Sequence, residues 1–416
     1  MTPLEPIEHR KCAESMTRLR IIPPHPRLHA EPLADLCAKA FSEFGYYELL
    51  EDYRKVYLHN SHYDWATSRI GLLGDRIITH VGVFDYQMRI GAARVRCGGV
   101  AAVATDAEFR KRGHMAQTFS ACLEAMRQAA CDFSVLFGIS NFYNRFGYVR
   151  AWSDTDFYVR AADLPKELPA GRLRRIRPRP RPELSDLYNR HYATSTGTAV
   201  RPTYRRGCPH FMRQDTGYLW IGRDGAPAGY VLARRDPGHI DCAEYCGDAR
   251  QALRVLGALT RKWSCDAVHF ETLPYFSDLA RLLRRGNCRA ETRHLRSGGA
   301  MMRLLNLPSA LRKMAPELSR RLRRSPLPSW QGNLLIADDR EEANLRIESC
   351  KVTLCEPHRT PHSIRGDQHV AQLLLGTDRP EETIEAAGIR LRGDARWLAP
   401  VLFPEQRPTL SALDRY

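Results

Sequence analysis

Residues 98–126 of the chain read GGVAAVATDAEFRKRGHMAQTFSACLEAM, and this stretch decides the fold. Val100 to Thr105 is typical of a buried strand, and the basic turn from Arg110 to Gly113 leads into a helix. Backbone N–H groups at a helix start point into open space and carry about half a positive charge, which suits a pyrophosphate. Gly113 lets the backbone approach such a ligand closely. A plain basic turn with a convenient glycine explains the same letters, so this motif alone leaves both interpretations open.

A second segment of chemical interest follows the next strand. FSVLFGI, residues 133–139, is typical of a buried strand, and SNFYNRFGYVRAW, residues 140–152, comes directly after it. Tyr143 therefore stands just beyond a strand end, where sheets of α/β proteins open to ligands. A tyrosine hydroxyl, with an ordinary pKa of ~10, can donate a proton to a leaving thiolate and is a poor base. The alternative is a packed aromatic cluster made of Phe142, Tyr143, Phe146 and Tyr148.

Length and composition indicate a folded protein of two or three domains. The chain has 416 residues, of which 43% are hydrophobic and 26% are charged, and this profile excludes wholesale disorder. No run of about 18 apolar residues occurs, and the opening MTPLEPIEHRKCAESMTRLR lacks the apolar core of a signal peptide. We therefore expect a cytoplasmic protein without a membrane span. The twelve cysteines are too dilute for a disulfide scaffold, so we expect reduced, mostly buried thiols.

The charge balance is strongly basic. The net charge is +16, and 55 arginines stand against 8 lysines. Codon bias explains the arginines, and so does a surface that attracts anions, such as a nucleotide-like cofactor, an acidic partner or nucleic acid. The runs RLRRIRPRPR and RRLRR come with no helix-turn-helix, zinc-finger or RNP-like motif. We interpret them as solvated faces and expect no nucleic acid partner, although a nucleic-acid-binding protein stays an alternative.

The periodicity predicts an α/β fold with mixed sheets, divided into residues 1–165, 166–305 and 306–416. In the first block, helical spacing runs from Pro32 to Phe44 and from Glu108 to Ala130. Between these helices, the sequence alternates as strands do and turns at a predicted hairpin, Gly74–Asp75.

The second block repeats this order of elements. Residues 171–184, GRLRRIRPRPRPEL, are either a linker or a strand followed by a helix that begins at a proline. A predicted helix near Tyr204 to Met212 precedes a hairpin at Asp224–Gly225, the strand HIDCAEY, a helix from Ala249 to Trp263 and the strand AVHFET. The repeated order indicates a structural repeat. Because no RxxG turn follows HIDCAEY, we expect this second copy to bind no cofactor.

The third block has a different texture. PSALRKMAPELSRRLRRS, residues 308–325, predicts a basic helix, and the short strands NLLIAD, NLRIESCKVTLCE and HSIRGD follow it. Two apolar helical pieces, VAQLLLG and PEETIEAAG, come next. No titratable cluster of catalytic type occurs here, so the block is interpreted as a lid or a hydrophobic-binding module. A lipid carrier is thus an alternative function, with the basic helix lying on an acidic membrane.

Taken together, the strand, the RKRG turn, the long helix and the FYNRFGY segment resemble the GCN5-related N-acetyltransferase (GNAT) superfamily. VATDAEFRKRGHM, residues 103–115, resembles its acetyl-CoA signature, and FYNRFGY, residues 142–148, resembles the segment with its general-acid tyrosine. Met115 departs from the family, where glycine or alanine is usual, and would narrow the pyrophosphate cradle. The whole chain resembles the enhanced intracellular survival (Eis) type: a GNAT domain, a degenerate second one, and a domain similar to sterol carrier proteins.

The resemblance implies transfer of an acetyl group from acetyl-CoA to an amine of an aminoglycoside-like small molecule, or of a lysine or peptide. Tyr143 would be the acid, the terminal carboxylate of Tyr416 would reach the active site, and Glu43, in FSEF, would lie near the substrate. Homo-oligomers, trimers or hexamers, are also implied. The residues that the resemblance assigns to the cofactor are Val103, Thr105, Arg110, Lys111, Arg112, Gly113, His114, Met115 and Asn141.

The expected mechanism is direct attack. The chain shows no Ser/His/Asp order, CxxC, HExxH or HHxxxDG pattern, so covalent and metal catalysis have no obvious carrier. Backbone N–H groups near Val103 would polarise the thioester carbonyl while Tyr143 protonates the departing sulfur. His114, beside the turn, is a candidate general base, but a histidine at a helix start more often caps the helix or faces solvent.

Overall fold

Three β-sheets organise the residues that the computed structural model describes, which are 18–58, 62–176, 182–202, 216–295, 297–356 and 358–416. Two of the sheets have seven strands and the third has five. Each sheet contains both parallel and antiparallel pairs. The predicted α/β class with mixed sheets is confirmed.

The first sheet has helices on both faces. Its strands are β1 (Arg20–Ile22), β2 (Arg69–Leu73), β3 (Arg76–Ile90), β4 (Ala93–Thr105), β5 (Phe133–Gly138), β6 (Val149–Arg150) and β14 (Gly299–Leu304). They lie in the order β1-β2-β3-β4-β5-β14-β6. The helices are α1 (Pro26–Ala40), α2 (Tyr46–Leu58) and α3 (His114–Gln128). Because side chains alternate along a strand, Val83 faces α3 and Phe84 faces α1 and α2.

The sequence predicted some elements of this sheet correctly and missed others. The hairpin turn at Gly74–Asp75 is confirmed, with Gly74 at a φ of 58°. The predicted helix start at Pro32 is wrong: α1 begins at Pro26, because the side chain of His25 caps it and a proline at the first helical position loses no hydrogen bond. Helix α2 had no counterpart in the sequence analysis. Helix α3 begins at His114, since Glu108 lies in a separate 3₁₀ turn, Ala107–Phe109.

The second sheet repeats the arrangement. Its strands are β7 (Asp154–Arg160), β8 (Leu173–Ile176), β9 (Thr216–Ile221), β10 (Pro227–Asp236), β11 (His239–Cys246), β12 (Ala267–Phe270) and β13 (Arg289–Arg293), in the order β13-β7-β12-β11-β10-β9-β8. The helices are α4 (Pro182–His191), α5 (Ala249–Trp263) and α6 (Asp278–Arg285). The hairpin at Asp224–Gly225 and the bounds of α5 are confirmed. Among the described residues of 171–184, the structure shows a strand followed by a proline-initiated helix instead of a linker, because β8 ends at Ile176 and α4 begins at Pro182. The predicted helix near Tyr204 to Met212 lies outside the described residues.

The first two sheets exchange strands. Strand β14 lies between β5 and β6, where Met302 pairs with Val135 and Met301 with Arg150. In return, β7 lies between β13 and β12 of the second sheet. The division of the chain after residues 165 and 305 stays a prediction, but the exchange ties the first two sheets together through backbone hydrogen bonds.

The third sheet packs on the first through a buried helix. Its strands are β15 (Gly332–Ala337), β16 (Glu342–Glu348), β17 (Lys351–Cys355), β18 (His362–Arg365) and β19 (Arg390–Arg392), and its helices are α7 (Leu307–Arg323), α8 (Val370–Leu375), α9 (Pro380–Ala386) and α10 (Ala395–Leu402). Leu311, Met314 and Leu318 of α7 are fully buried, and Arg321 bonds Glu317 at 2.8 Å. The idea that this helix lies on a membrane is therefore wrong, because α7 packs between β4 and β17.

The cysteines and the helix lengths can also be compared with the expectations from the sequence. All ten cysteines in the described ranges are free, and seven of them are buried, as the spacing predicted. Among the helices described above, none is at once long and apolar enough to cross a bilayer.

Candidate active site

Strands β4 and β5 separate at one end, and the candidate site begins there. They pair in parallel from Cys97–Phe133 to Val100–Leu136, and β4 then runs on to Thr105 without a partner on the β5 side. On its other side the register skips Ala102 and Val103, which form a β-bulge with Ala102 at a φ of 50°. Bulges re-aim the backbone next to active sites. Val103, the residue predicted to polarise a carbonyl, stands at this break.

A buried histidine supports the bulge from behind. His80 Nδ1 lies 2.8 Å from the Ala102 carbonyl oxygen, and its Nε2 lies 2.8 Å from the Tyr63 hydroxyl. A carbonyl can only accept, so Nδ1 carries the hydrogen and Nε2 accepts from Tyr63. Burial lowers the pKa of His80 to about 4, which keeps the ring neutral. No spacing or motif marks His80 in the sequence, and the sequence analysis missed it.

The turn from residue 106 to residue 113 leaves the start of α3 open. Gly113 is the N-cap with a φ of 80°, no side chain caps the helix, and a Cβ on Gly113 would meet no atom within 4 Å. Lys111 also has a positive φ, 62°. The first N–H groups of a helix lack partners within it, and here they face free space beside a glycine. The RKRG turn thus has the geometry expected of an anion site.

The charges of this turn are arranged to leave its cations available. Arg76 forms ion pairs with both nearby carboxylates, those of Asp106 and Glu108, each at 2.7 Å. In the part of the chain that the structure describes, neither Lys111 nor Arg112 forms an ion pair, and both are exposed. Arg110 bonds the carbonyl of Thr105 at 3.4 Å. The turn therefore presents positive charge beside the open helix start.

His114 and Met115 open the helix itself. His114 is half-buried, its carbonyl accepts from the Thr118 hydroxyl at 3.0 Å, and its Nδ1 is buried without a hydrogen bond. The Met115 side chain packs with Val103 and Phe142 against the apolar cluster under α3.

The sequence left open whether Tyr143 is a proton donor at a strand end or part of a packed aromatic cluster, and its position in the structure is compatible with both. Its ring belongs to an aromatic cluster, with centroids 5.6 Å from Phe119 and 6.1 Å from Tyr148. The same ring covers Gly138 at the end of β5, where a Cβ would lie 2.4 Å from the tyrosine Cδ2. Burial raises the pKa of Tyr143 to about 12, so the hydroxyl keeps its proton at neutral pH. Tyr143 is thus suited to be an acid and not a base.

The loop that carries Tyr143 is fastened by the exchanged strand. Just before β14, Ser297 Oγ accepts from the Asn141 N–H at 2.6 Å and donates to Asn144 Oδ1 at 2.7 Å. Ser140 donates to the Ser297 carbonyl at 3.3 Å. Asn141, a predicted cofactor residue, is exposed with a φ of 59°. Residues far apart in sequence therefore fix this loop.

The chain end reaches the closed base of the β4–β5 opening. The Tyr416 hydroxyl donates to the Val135 carbonyl at 2.7 Å, and its ring lies so close to Gly99 that a Cβ there would be 2.2 Å from a ring carbon. Gly99 and Val135 are register partners. Gly98, the next residue, faces Met126 of α3, so Tyr416 lies on the opposite face of the sheet. Tyr143, which packs on Phe119 of α3, and Tyr416 therefore contact opposite faces of the paired strands β4 and β5.

A buried ion network anchors the tail that delivers Tyr416. Arg201 lies 2.6 Å from Glu244 and 2.9 Å from Asp414, and Ser411 donates to Glu244 at 2.9 Å. Arg415 lies 3.5 Å from Asp154. The sequence analysis did not foresee this network, because SALDRY by itself resembles an ordinary chain end.

Glu43 lies apart from these residues. It is exposed in a 3₁₀ turn, Ser42–Phe44, between α1 and α2, and within the described ranges it forms no hydrogen bond or ion pair with Tyr143 or Tyr416. Phe44 and Tyr47 beside it are 71% and 80% exposed. A groove of about 840 Å³ between α1 and the turn at 106–110 is lined by Thr105 and Arg110, among others. There is thus room for a ligand beside residues 106–113 and the start of α3, which we call the cradle.

Comparison with known proteins agrees with this geometry. Residues 29–151 match the family model described as an acetyltransferase (GNAT) domain. No curated protein matches the chain. Among solved structures, the chain is similar to a GCN5-related N-acetyltransferase from Kribbella flavida, with 19% identity, a TM-score of 0.72, and 97% and 100% of the two chains covered.

Two further structures align over the same extent. A GCN5-related N-acetyltransferase from Anabaena variabilis ATCC 29413 has 16% identity and a TM-score of 0.73, with 94% of this chain and 99% of that chain covered. Eis1 from Mycobacterium abscessus has 17% identity and a TM-score of 0.69, with 95% and 100% covered. These similarities show a shared fold. The matched residues 29–151 contain β4, the cradle and Tyr143, and they support acyl transfer as the general chemistry of this region.

Proposed function

We propose that the protein is an N-acetyltransferase that moves an acetyl group from acetyl-CoA to a primary amine. One observation carries the proposal: the β4–β5 opening has an uncapped helix start beside the exposed cations Lys111 and Arg112, with Tyr143 at the end of β5 and Tyr416 at the base of the opening. A phosphate-bearing donor and a proton donor are thus brought to one place.

The residues of the cradle fit a pyrophosphate. The N–H groups at the start of α3 would bind its oxygens, and Lys111 and Arg112 would add attraction. The pantetheine arm would follow the unpaired edge of β4 from Thr105 towards Val103, with Asn141 on the β5 side. Among the described residues, no atom lies within 4 Å of the position that a Cβ on Gly113 would take, so the backbone can approach the phosphates.

Catalysis would then rest on three groups of this chain. Acetyl-CoA would supply a thioester with a thiolate as leaving group. The Val103 N–H would polarise the carbonyl, and Tyr143 would donate its proton to the sulfur as the C–S bond breaks. The ionised carboxylate of Tyr416 would take the proton that the amine releases as the C–N bond forms. The amine attacks in its neutral form, after its ammonium group has lost a proton to solvent. One further proton then leaves nitrogen for the carboxylate and one reaches sulfur from Tyr143, so the step is balanced once solvent returns a proton to Tyr143 and takes one from the carboxylate.

The acceptor would be a cationic amine, on an aminoglycoside-like small molecule or on a lysine or peptide. A chain with a net charge of +16 repels such molecules unless its pocket is locally acidic. Glu43 and Glu48 supply exposed carboxylates at the turn between α1 and α2, beside the exposed rings of Phe44 and Tyr47. We assign Glu43 to substrate binding on this ground.

The proposal extends to an Eis-type organisation, with the second sheet as a degenerate copy and the third as a sterol-carrier-like domain in a homo-oligomer. The alignment with Eis1, which covers 95% of this chain, supports it.

Product analysis tests the proposed activity. The full chain is incubated with acetyl-CoA and either an aminoglycoside or a lysine-containing peptide, and acetylated product and free thiol are measured by mass spectrometry and a thiol reagent. We expect equal amounts of both with at least one acceptor class. Absence of acetylated amine with both classes, together with no binding of acetyl-CoA, would refute the proposal.

A further inference from the structure

A cluster of histidine and aspartate lies on the second sheet, on the face away from α5. His239 and Asp241 are two residues apart on β11, so their side chains share a face. His269 of β12 is the direct register partner of Asp241. Strand register thus brings three metal-binding side chains together at the closed base of the second parallel pair.

The donor atoms are close enough to share one ion. His269 Nδ1 lies 2.9 Å and His239 Nε2 lies 3.3 Å from Asp241 Oδ1, and the three donor atoms all lie within 4.8 Å of one another. Two ligands that are each ~2.0–2.1 Å from a tetrahedral zinc ion are themselves ~3.3 Å apart. The two histidine–aspartate distances therefore match this spacing to within a few tenths of an ångström. The two histidine nitrogens are at most 4.8 Å apart, so a side-chain movement of at most about 1.5 Å brings them to the same spacing.

The second nitrogen of each ring also faces an oxygen. His239 Nδ1 lies 3.3 Å from the Pro237 carbonyl, so this nitrogen carries the hydrogen and Nε2 turns a lone pair towards Asp241. His269 Nε2 lies 3.8 Å from Asp156 Oδ1, and both atoms are buried without a hydrogen bond. Histidine metal ligands commonly have such an oxygen behind them, which fixes the tautomer.

The two carboxylates beside the ring nitrogens of His269 favour a cation at this position. Carboxylates face both of its nitrogens, and a neutral ring can donate a hydrogen to only one of them. The other nitrogen turns a lone pair towards an oxygen, unless a proton or a metal ion lies between them. If the metal lies between Nδ1 and Asp241, Nε2–H points to Asp156 and both contacts become favourable.

We propose that His239 Nε2, His269 Nδ1 and Asp241 Oδ1 bind a divalent transition metal, with Zn²⁺ as the best match to this ligand set. A water molecule completes the tetrahedron, since the His239 side chain is 40% exposed. Arg234 holds the other oxygen of Asp241 at 2.7 Å, so the aspartate binds through one oxygen. The ion fastens β11 to β12 in the sheet that the proposed cofactor does not use.

The competing state is a doubly protonated His269 without metal. Arg234, 2.7 Å from Asp241, and Arg293, 3.2 Å from Asp156, offset part of the negative charge around it. Protons and metal compete for the same lone pair, so the metal should bind less tightly as the pH falls through the histidine range.

Cobalt spectroscopy on the full chain tests the site. Protein freed of metal with a chelator is titrated with Co²⁺ at pH 7.5 and pH 5.5, and its visible absorption is recorded before and after Zn²⁺ is added. The variants are His239→Ala and Asp241→Asn. The control is His294→Ala, which removes an exposed histidine that contacts Ser153.

We expect wild type and His294→Ala to develop one equivalent of cobalt absorption that Zn²⁺ abolishes and that weakens at pH 5.5. The two cluster variants should bind Co²⁺ at least tenfold more weakly, with unchanged circular dichroism. Equal cobalt affinity in all four proteins, or no cobalt absorption in wild type, would overturn the proposal. If Asp241→Asn does not fold, the half-exposed His239→Gln decides in the same way.

Discussion

The parallel pairs of the first two sheets, β4–β5 and β11–β12, both separate after a few residues, and they differ most at the helix that follows β4 or β11. In the first, residues 106–113 form a basic turn and Gly113 leaves the helix start uncapped. In the second, only Gly247 and Asp248 link β11 to α5, and Asp248 Oδ1 accepts from the Gln251 N–H at 2.7 Å. A carboxylate of the chain thus occupies the second helix start, where an external anion would bind.

The C-terminal tail enlarges this difference. Ser411, Leu413 and Asp414 lie buried beside the second opening, where a cavity of about 20 Å³ remains, room for a single water molecule. Two residues further on, Tyr416 lies at the base of the first opening. One short segment therefore fills the space beside β11 and β12 and places its last residue against β4 and β5. The comparison indicates that a repeated fold can keep its shape while a few residues change the helix start, and we propose that this difference decides which copy binds.

The largest effect is expected where the tail is anchored. Arg201→Met leaves Glu244 and Asp414 buried without their cation, which should cost about 3–5 kcal/mol of unfolding free energy. Arg407→Met is the control, since its ion pair with Glu405 in the same tail is partly exposed and should contribute about 1 kcal/mol or less. Denaturant unfolding of both variants measures the difference; equal losses would contradict the anchoring role.

The next largest effect concerns Tyr143, the proposed acid. Tyr143→Phe keeps the ring packing and removes the proton donor, so turnover should fall about 10²-fold while acetyl-CoA affinity stays unchanged. Tyr148→Phe is the matched control, because its hydroxyl contacts Ser134 in the core at 2.6 Å. An equal loss in both variants would indicate that the aromatic cluster matters only for packing.

The same group predicts a pH profile. The pKa of Tyr143 is raised to about 12, and an acid keeps its proton below its pKa. Turnover should therefore not decline through loss of this proton until the pH approaches about 12. A basic limb near ~10, the ordinary tyrosine value, that disappears in Tyr143→Phe would contradict the raised pKa.

A smaller loss is expected when the chain end is extended. A tag after Tyr416 removes the terminal carboxylate from its place, so turnover should fall about 30-fold with unchanged acetyl-CoA affinity. The same tag before residue 1 serves as the control. Deleting residues 414–416 is a poorer test, because Asp414 belongs to the buried network. Full activity with the C-terminal tag would leave Glu43 or water as the base.

The smallest effect concerns the bulge. His80→Leu removes the hydrogen bond to the Ala102 carbonyl, and turnover should fall about fivefold through misplacement of Val103. His80→Gln, whose amide can donate to the same carbonyl, should recover part of the loss. Identical kinetics in both variants and wild type, measured at equal folded fraction, would show that the bulge needs no such support.

The sequence predicted those features that short stretches encode. The RKRG turn, both glycine hairpins and the bounds of α5 follow from glycine conformation, helix starts and periodicity. Pro32 misled the prediction of α1, because a capping histidine and an earlier proline had already started the helix.

The remaining features depend on pairs that are distant in the chain. The exchange of β7 and β14, the hold of Ser297 on the Tyr143 loop, and the contact of Tyr416 with Val135 all join residues more than a hundred positions apart. No local pattern signals such pairs. Tyr416 was suggested only by the family resemblance, and the contact between its ring and Gly99 became visible only in three dimensions.

Calorimetric titration of the full chain with acetyl-CoA tests the central claim most directly, that one of the two openings binds. We expect one site per chain, at least tenfold weaker in Gly113→Asp, which places a carboxylate where the second helix has Asp248. Gly225→Asp is the matched control, because Gly225 also has a positive φ, 76°, with no atom near its Cβ position, and it should bind like wild type. Two equivalent sites, no binding at millimolar acetyl-CoA, or equal affinity in Gly113→Asp and wild type would contradict the account.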